Sequence, residues 1–313
     1  MNLELGRQLI QKKQLPQAIE EFRSASVLCP QNIEGILALT RAYLQARQFA
    51  KAEQSAKQLL AVHPGSEDGQ FLLAYSYFMQ QKFPDAGKTL QKLLAQDDKN
   101  FEAHKLMGLT LFFYKEYVMA EQQLSIALKG HPNDQEALYF LGRVYYTQNN
   151  FPPAISAFER LVTLNPRAYK AYDSLGLCYE AINQNDEAIA AFKKAQALVQ
   201  TEDPGYDWPY ANLAELLIRM NNNSEAVSAL KDALRINPGS ARNHYLMGKA
   251  LSQEANVSGA IAQLHQAIQL DPAYPEPHYL LGRLLEKLGK RADAQEEFNI
   301  FQKLSESSPH KKS

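Results

Sequence analysis

Apolar residues along the chain recur three and four positions apart, in blocks of about a dozen separated by short polar turns. That is the spacing of one buried helix face, not of an alternating strand. The blocks themselves repeat. An alanine returns at Ala18, Ala52, Ala86, Ala120, Ala154, Ala188, Ala226, Ala260 and Ala294. A second column of small residues reads Gly6, Thr40, Ala74, Gly108, Gly142, Gly176, Ala214, Gly248 and Gly282, each preceded by Leu or Met and followed three residues later by Leu or Tyr. Four residues after the alanine comes a third column: Phe22, Ala56, Leu90, Leu124, Phe158, Phe192, Leu230, Leu264 and Phe298.

The period is 34 residues. Pro30 and Pro64, Pro132 and Pro166, and Pro238 and Pro272 are each 34 apart, while Pro166 to Pro238 is two periods plus four. One four-residue insertion near 203–206 restores the register. The pattern predicts an all-α chain of paired antiparallel helices, in which small residues let the backbones cross and large apolar ones fill the space beside them. Pro16, Pro84 and Pro152 fall where a first-turn proline is tolerated at the start of a second helix, and the 34-residue proline series closes those helices.

These columns resemble the tetratricopeptide repeat, with its W-x2-L-G-x2-Y, A-x3-F and closing P. The resemblance covers about 1–308. It implies a right-handed superhelical solenoid of about nine helix-turn-helix repeats, at 1–32, 33–66, 67–100, 101–134, 135–168, 169–202, 207–240, 241–274 and 275–308, followed by a flexible tail at 309–313. Departures are confined to the tryptophan column (Asn2, Ile36, Gln70, His104, Leu138, Tyr172, Tyr210, His244, His278) and to Asp98, Gln200 and Glu306 in place of a closing proline.

Composition narrows the function. Lys plus Arg is 33 and Asp plus Glu is 34, so no global field attracts nucleic acid or anionic lipid. No uncharged apolar run reaches the roughly 18 residues a membrane span requires, and the first twenty residues mix Glu4, Arg7, Lys12 and Lys13 among apolar positions, unlike a signal peptide. Cys29 and Cys178 are far apart and suggest no disulfide framework. The expectation is a cytoplasmic protein, or an exported one if Met1 is not its native start.

Chemistry-bearing motifs are weak. Gly87-Lys88-Thr89 resembles the end of a phosphate loop, but Lys82 stands where the earlier glycine belongs and the segment falls within a second helix. His104, His244 and His278 share one column without metal-ligand spacing, and His63 and His131 precede closing prolines. Cys178 sits in a core stretch. Asn222-Asn223-Ser224 and Asn256-Val257-Ser258 read as inter-helix turns. No catalytic residue, cofactor or metal is expected.

The flank of each first helix not used by the packing columns should face the inside of the bend. It carries Arg41 in repeat two, Phe71, Tyr75 and Phe78 in repeat three, Lys105 and Phe112 in repeat four, and Tyr139, Arg143 and Tyr146 in repeat five. Later repeats add Trp208, Tyr245, Lys249, Tyr279 and Arg283. Interfaces are enriched in aromatics and Arg, so these residues predict a groove that anchors apolar side chains of an extended or helical protein segment and steers its carboxylates. The competing expectation is that neighbouring repeats cover the aromatics. Lys and Asn never occupy the two positions needed to clamp an acidic chaperone tail.

Asp207 is expected to cap a helix, with Pro209 in its first turn; Trp208, at the groove's edge, either anchors a partner or, the favoured expectation, packs under the longer loop. Phe298, Ile300 and Phe301 close the last repeat without a polar cap, either folded onto their own hairpin or driving self-association. The chain therefore reads as a non-enzymatic protein-interaction scaffold or adaptor. The alternative is an accessory module presenting substrates to an enzyme encoded elsewhere.

Overall fold

In the computed structural model, residues 2–307 are described; the expected tail at 309–313 lies outside the described residues. Eighteen helices follow one another, with no strand among the described residues. They are α1 (Asn2–Gln11), α2 (Leu15–Leu28), α3 (Ile33–Gln45), α4 (Phe49–Val62), α5 (Glu67–Met79), α6 (Phe83–Gln96), α7 (Phe101–Phe113), α8 (Tyr117–Gly130) and α9 (Gln135–Thr147). Then come α10 (Phe151–Leu164), α11 (Tyr169–Ala181), α12 (Asn185–Glu202), α13 (Trp208–Arg219), α14 (Asn223–Ile236), α15 (Ala241–Gln253), α16 (Val257–Leu270), α17 (Pro275–Lys287) and α18 (Arg291–Ser307). The chain forms two compact units, residues 1–157 and 158–313.

Local chemistry sets the helix ends. Five first helices start on side-chain caps: Asn32 accepts from Gly35 N–H, Ser66 from Gly69, Asn100 from Ala103, Asp134 from Ala137 and Ser240 from Asn243. Each first helix ends in a residue of the left-handed region: Lys13, Arg47, Gln81, Lys115, Asn149, Asn183, Asn221, Ala255 and Gly289. The geometry is the six-to-one closure, as where Gln14 N–H reaches Leu9 C=O at 2.9 Å and Lys13 N–H reaches Ile10 C=O at 3.0 Å. It reverses the chain in three residues and starts the second helix. Prolines enter the first turn of α2 and α6, as their fixed φ allows.

Packing follows the columns. The alanines at 18, 52, 86, 120, 188, 226 and 260 are buried to 0% exposure where helices cross. The small column lies against the third column: a Cβ on Gly282 would stand 2.6 Å from the Phe298 ring, and one on Gly108 would stand 2.6 Å from Leu124 Cγ. Glycine is therefore required at these crossings by space, not by backbone angle. Where the third column shrinks to Ala56, the small column grows to Thr40, which donates to Ile36 C=O at 2.7 Å and lies 2.8 Å from Ser55 Oγ, whose hydroxyl can donate to it.

Within each unit, first helices approach one another: α3 with α5, α5 with α7 and α7 with α9 in the first, and α11 with α13, α13 with α15 and α15 with α17 in the second. No second helix meets the next second helix comparably. First helices thus line the inside of each unit's bend.

Three expectations need correction. The four extra residues do not form a loop: they lengthen α12 to 18 residues, against 14 in α8 and α14, and Pro204 follows its end. Gln200 lies inside the helix, and Pro204 is the displaced closing proline. Asp207 makes no side-chain cap to α13. It is buried and accepts from Asn243 Nδ2 at 2.6 Å and Asn237 Nδ2 at 3.5 Å. Trp208 is not packed under a loop; it is 52% exposed, with the Arg242 guanidinium 5.3 Å from its ring. In the last hairpin, Phe298 and Phe301 pack at a tilt against Tyr279, with centroids at 6.1 and 5.1 Å.

Candidate interaction face of the first helices

In the first unit, a groove opens along the inner flank. It is lined by Arg7, Glu34, Leu37, Arg41 and Asp68, and continues past Phe71, Asn100 and Glu102. Ion pairs bridge successive first helices across it. Arg7 reaches Glu34 at 2.9 Å and Arg41 reaches Asp68 at 3.0 Å, all four side chains more than half exposed. Such pairs contribute at most about 1 kcal/mol, so their main effect is to hold the side chains in place and neutralise them. Lys105 is more enclosed, with Asp134 and Glu102 at 2.9 Å and Glu136 at 3.9 Å. Burial disfavours its charge, but the bonds from Asp134 and Glu102 prevail and hold its pKa above the ordinary lysine value.

The aromatic row is continuous. Phe71 stacks on Tyr75 at 6.5 Å and Tyr75 on Phe78 at 6.4 Å, all three half-buried. Phe78 leans on Phe83 and Phe113. Phe112 belongs to the core: it is 8% exposed, among Leu109, Leu141 and Val144, and Arg143 covers its ring at 4.7 Å. Tyr139 is half-buried beside Arg143, and Tyr146 is at the exposed margin against Phe151. Within the row Phe112 is covered, while Phe71, Tyr75 and Tyr139 keep accessible surface.

The second unit fills the same flank differently. Asp173, 4% exposed, accepts from Asn212 Nδ2 at 2.9 Å and from the Tyr206 hydroxyl at 3.1 Å. Burial outweighs these bonds and pushes its carboxyl up to about 6. Asn212 Oδ1 accepts from Arg242 Nη2 at 3.0 Å, and the same nitrogen donates to Glu215 at 2.6 Å. Arg219 pairs with Glu180. Tyr245 packs on Tyr274 at 5.3 Å, and burial pushes its phenol up to about 12. Lys249 is half-buried nearby, and Arg283 donates to the Tyr279 hydroxyl at 3.2 Å.

Sequence reasoning missed Asn212 and the inward turn of Asp207. A partial signal existed: Asn212 stands in a column that is apolar at Ala38, Leu72, Leu106, Phe140, Leu246 and Leu280, though polar also at Glu4 and Ser174, and a polar residue at a buried position needs a partner.

The other singled-out residues serve structure. His104 Nδ1 meets Gln123 Oε1 at 2.7 Å and Nε2 meets Asp98 C=O at 3.0 Å, and His244 makes the same two contacts with Gln263 and Pro238. His278 Nδ1 meets Glu297 at 2.6 Å. Gly87-Lys88-Thr89 lies inside α6, where Thr89 donates to Asp85 C=O. Burial pushes the Cys178 thiol up to about 12, and Cys29 is exposed at the end of α2. Among the described residues, no helix is long and apolar enough to cross a membrane.

Paired antiparallel helices on a 34-residue period, with first helices inward, define a helical-repeat protein. Tetratricopeptide repeat models match residues 44–109 and 181–250, and 119–162 and 141–207, and a TPR repeat model matches 256–289. The chain belongs to the tetratricopeptide repeat proteins and is, at that level, a protein-protein interaction scaffold. Among solved structures, it is similar to a chain of the APC/C hetero-tetramer Cut9-Hcn1, 17% identical with a TM-score of 0.64 over 87% of this chain and 52% of that one. It thus spans about half that neighbour's length. It is also similar to pilF of Pseudomonas aeruginosa, 19% identical with a TM-score of 0.57 over 67% of this chain and 94% of that one. At these identities the likeness concerns the fold alone. No curated protein sequence matches the chain.

Proposed function

We propose that the first unit binds an extended or helical segment of another protein along the inner flank of α3, α5, α7 and α9, and that the chain works as a non-catalytic adaptor. The observation that carries this reading is the unbroken row Phe71, Tyr75, Phe78, which keeps part of each ring accessible beside the groove at Leu37 and Arg41. Aromatic surface held rigid on helices gains apolar burial on binding at little entropic cost. In the second unit Asp173, Asp207, Glu180 and Glu215 are each engaged by a neighbouring Asn, Tyr or Arg, which supports cohesion there and not acid/base work.

The test is photo-crosslinking from position 75 in the source cell extract, with and without Phe71→Ala and Tyr139→Ala. A protein captured through position 75 and lost in the double variant, with the thermal midpoint held within a few degrees, supports the groove. Capture that the double variant leaves unchanged rejects it. A captured enzyme whose turnover depends on this chain would favour the substrate-presenting role.

A further inference from the structure

This inference rests on the proposed groove and concerns what it selects. The first-helix cations of the first unit are not equivalent. Arg7 and Arg41 each hold a carboxylate of the next first helix, and Lys105 holds three. Arg143 has no carboxylate partner among the described residues. Its guanidinium instead lies over three rings: Phe112 at 4.7 Å, and Tyr139 and Phe140 at 5.7 Å each. Contact with ring faces fixes the plane of the group and removes rotamer freedom without neutralising the charge. A rigid fork of donors with no internal acceptor matches a carboxylate, which two parallel N–H bonds can engage.

The opposite pole lies on the same flank. Glu136 is seven residues before Arg143 on α9, two helical turns or about 10 Å away. Beside it are Glu102 and Asp134, so three carboxylates share the ammonium of Lys105, with the His131 ring 3.9 Å from Glu102. Glu102 and Glu136 remain 51% and 56% exposed, so that end keeps excess negative charge facing the groove. Tyr139 lies between the poles.

We propose that the α7–α9 stretch reads charge order: it takes a segment whose apolar side chain, seated on Tyr139, is flanked by a carboxylate that docks on Arg143 and by a Lys or Arg that docks on Glu102 and Glu136. A span of about 10 Å corresponds to roughly three residues of extended chain or seven of helix. Either spacing gives the partner one direction along the flank, because the reverse orientation places like charges together.

Random dodecapeptides displayed on phage and selected on the full chain test this. The expected peptides carry an acidic and a basic residue at one of those spacings around a bulky apolar one. They weaken about tenfold to a hundredfold on Arg143→Gln, as loss of a charge-assisted hydrogen bond requires. Glu102→Lys with Glu136→Lys, which touch no ring of the stack, should select peptides acidic at both ends. Peptides lost on Tyr75→Ala or Tyr139→Ala but indifferent to Arg143→Gln and to the double reversal overturn the charge-order proposal and leave the groove standing. Selected peptides that tolerate both tyrosine changes overturn the groove itself.

Discussion

The two units place opposite chemistry on the same register. In the first, a cation on one first helix meets an acid 27 residues later, as in Arg7 with Glu34 and Arg41 with Asp68. In the second, the corresponding positions are reversed, with Glu215 meeting Arg242. The first unit leaves aromatic rings half accessible on this flank. The second buries polar groups there and satisfies them internally through Asp173, Asn212 and Arg242. A hairpin repeat needs only its packing columns to stack, so the flank is free to carry different residues in each unit.

That contrast breaks most visibly at Asn212. Replacing it with Leu removes the donor to Asp173 and the acceptor of Arg242, both buried, and should destabilise the second unit by about 3 kcal/mol or more. Trp208 is the sole tryptophan and lies in that unit, so its fluorescence during urea unfolding reads the loss. Tyr75→Ala in the first unit should change the same curve by less than about 0.5 kcal/mol, because distant repeats contribute nearly independently.

pH gives the next effect, with opposite signs. Asp173 keeps its proton up to about 6 in the folded chain but releases it near 3.8 when unfolded. Between those values the folded state binds more protons, so raising the pH from 4 to 6 should cost the second unit about 2 kcal/mol by the Trp208 signal. In the first unit, burial acts to raise the Glu53 pKa, but hydrogen bonds from Lys57, Lys82 and Gln80 overcome it and hold the carboxyl at about 2, below its ordinary 4.5. Its contribution is complete above pH 4.5 and fades as pH falls toward 2. Corrected amide exchange should show helices α4 and α6 loosening in acid. A common direction in both units would refute this assignment.

The smallest effect concerns the turns. The first unit forces Lys13, Arg47, Gln81 and Lys115 into the left-handed region, whereas the second mostly uses Asn183, Asn221 and Gly289 there. Lys115→Gly should stabilise the first unit by about 1 kcal/mol, while Asn183→Gly should change the second by a few tenths. Equal gains at both sites would mean that side-chain strain does not distinguish the units.

The repeat frame was legible because it is local and reiterated. A 34-residue spacing of alanine, small residues and proline specifies two helices and their crossing whatever else the chain contains. The Gly282–Phe298 pairing could be read directly, since a bulky residue in one column demands a small one opposite. The additional helical turn in α12 could not: Asp203-Pro204-Gly205 is a turn signal, and nothing in it says whether the preceding four residues continue the helix. The exposure of Trp208 and the burial of Phe112 were equally hidden, because both occupy the predicted flank.

By itself, the sequence determined the helices and their pairing, since these follow from periodicity and from the volume available at a crossing. Only the tertiary structure decided what the inner flank of the first helices offers. Neutralisation of Arg41 by Asp68, the stacking of Arg143 on Phe112 and the closure of Asp173 by Asn212 all join residues from different helices. Charge and accessibility are properties of such neighbourhoods and not of positions along the chain.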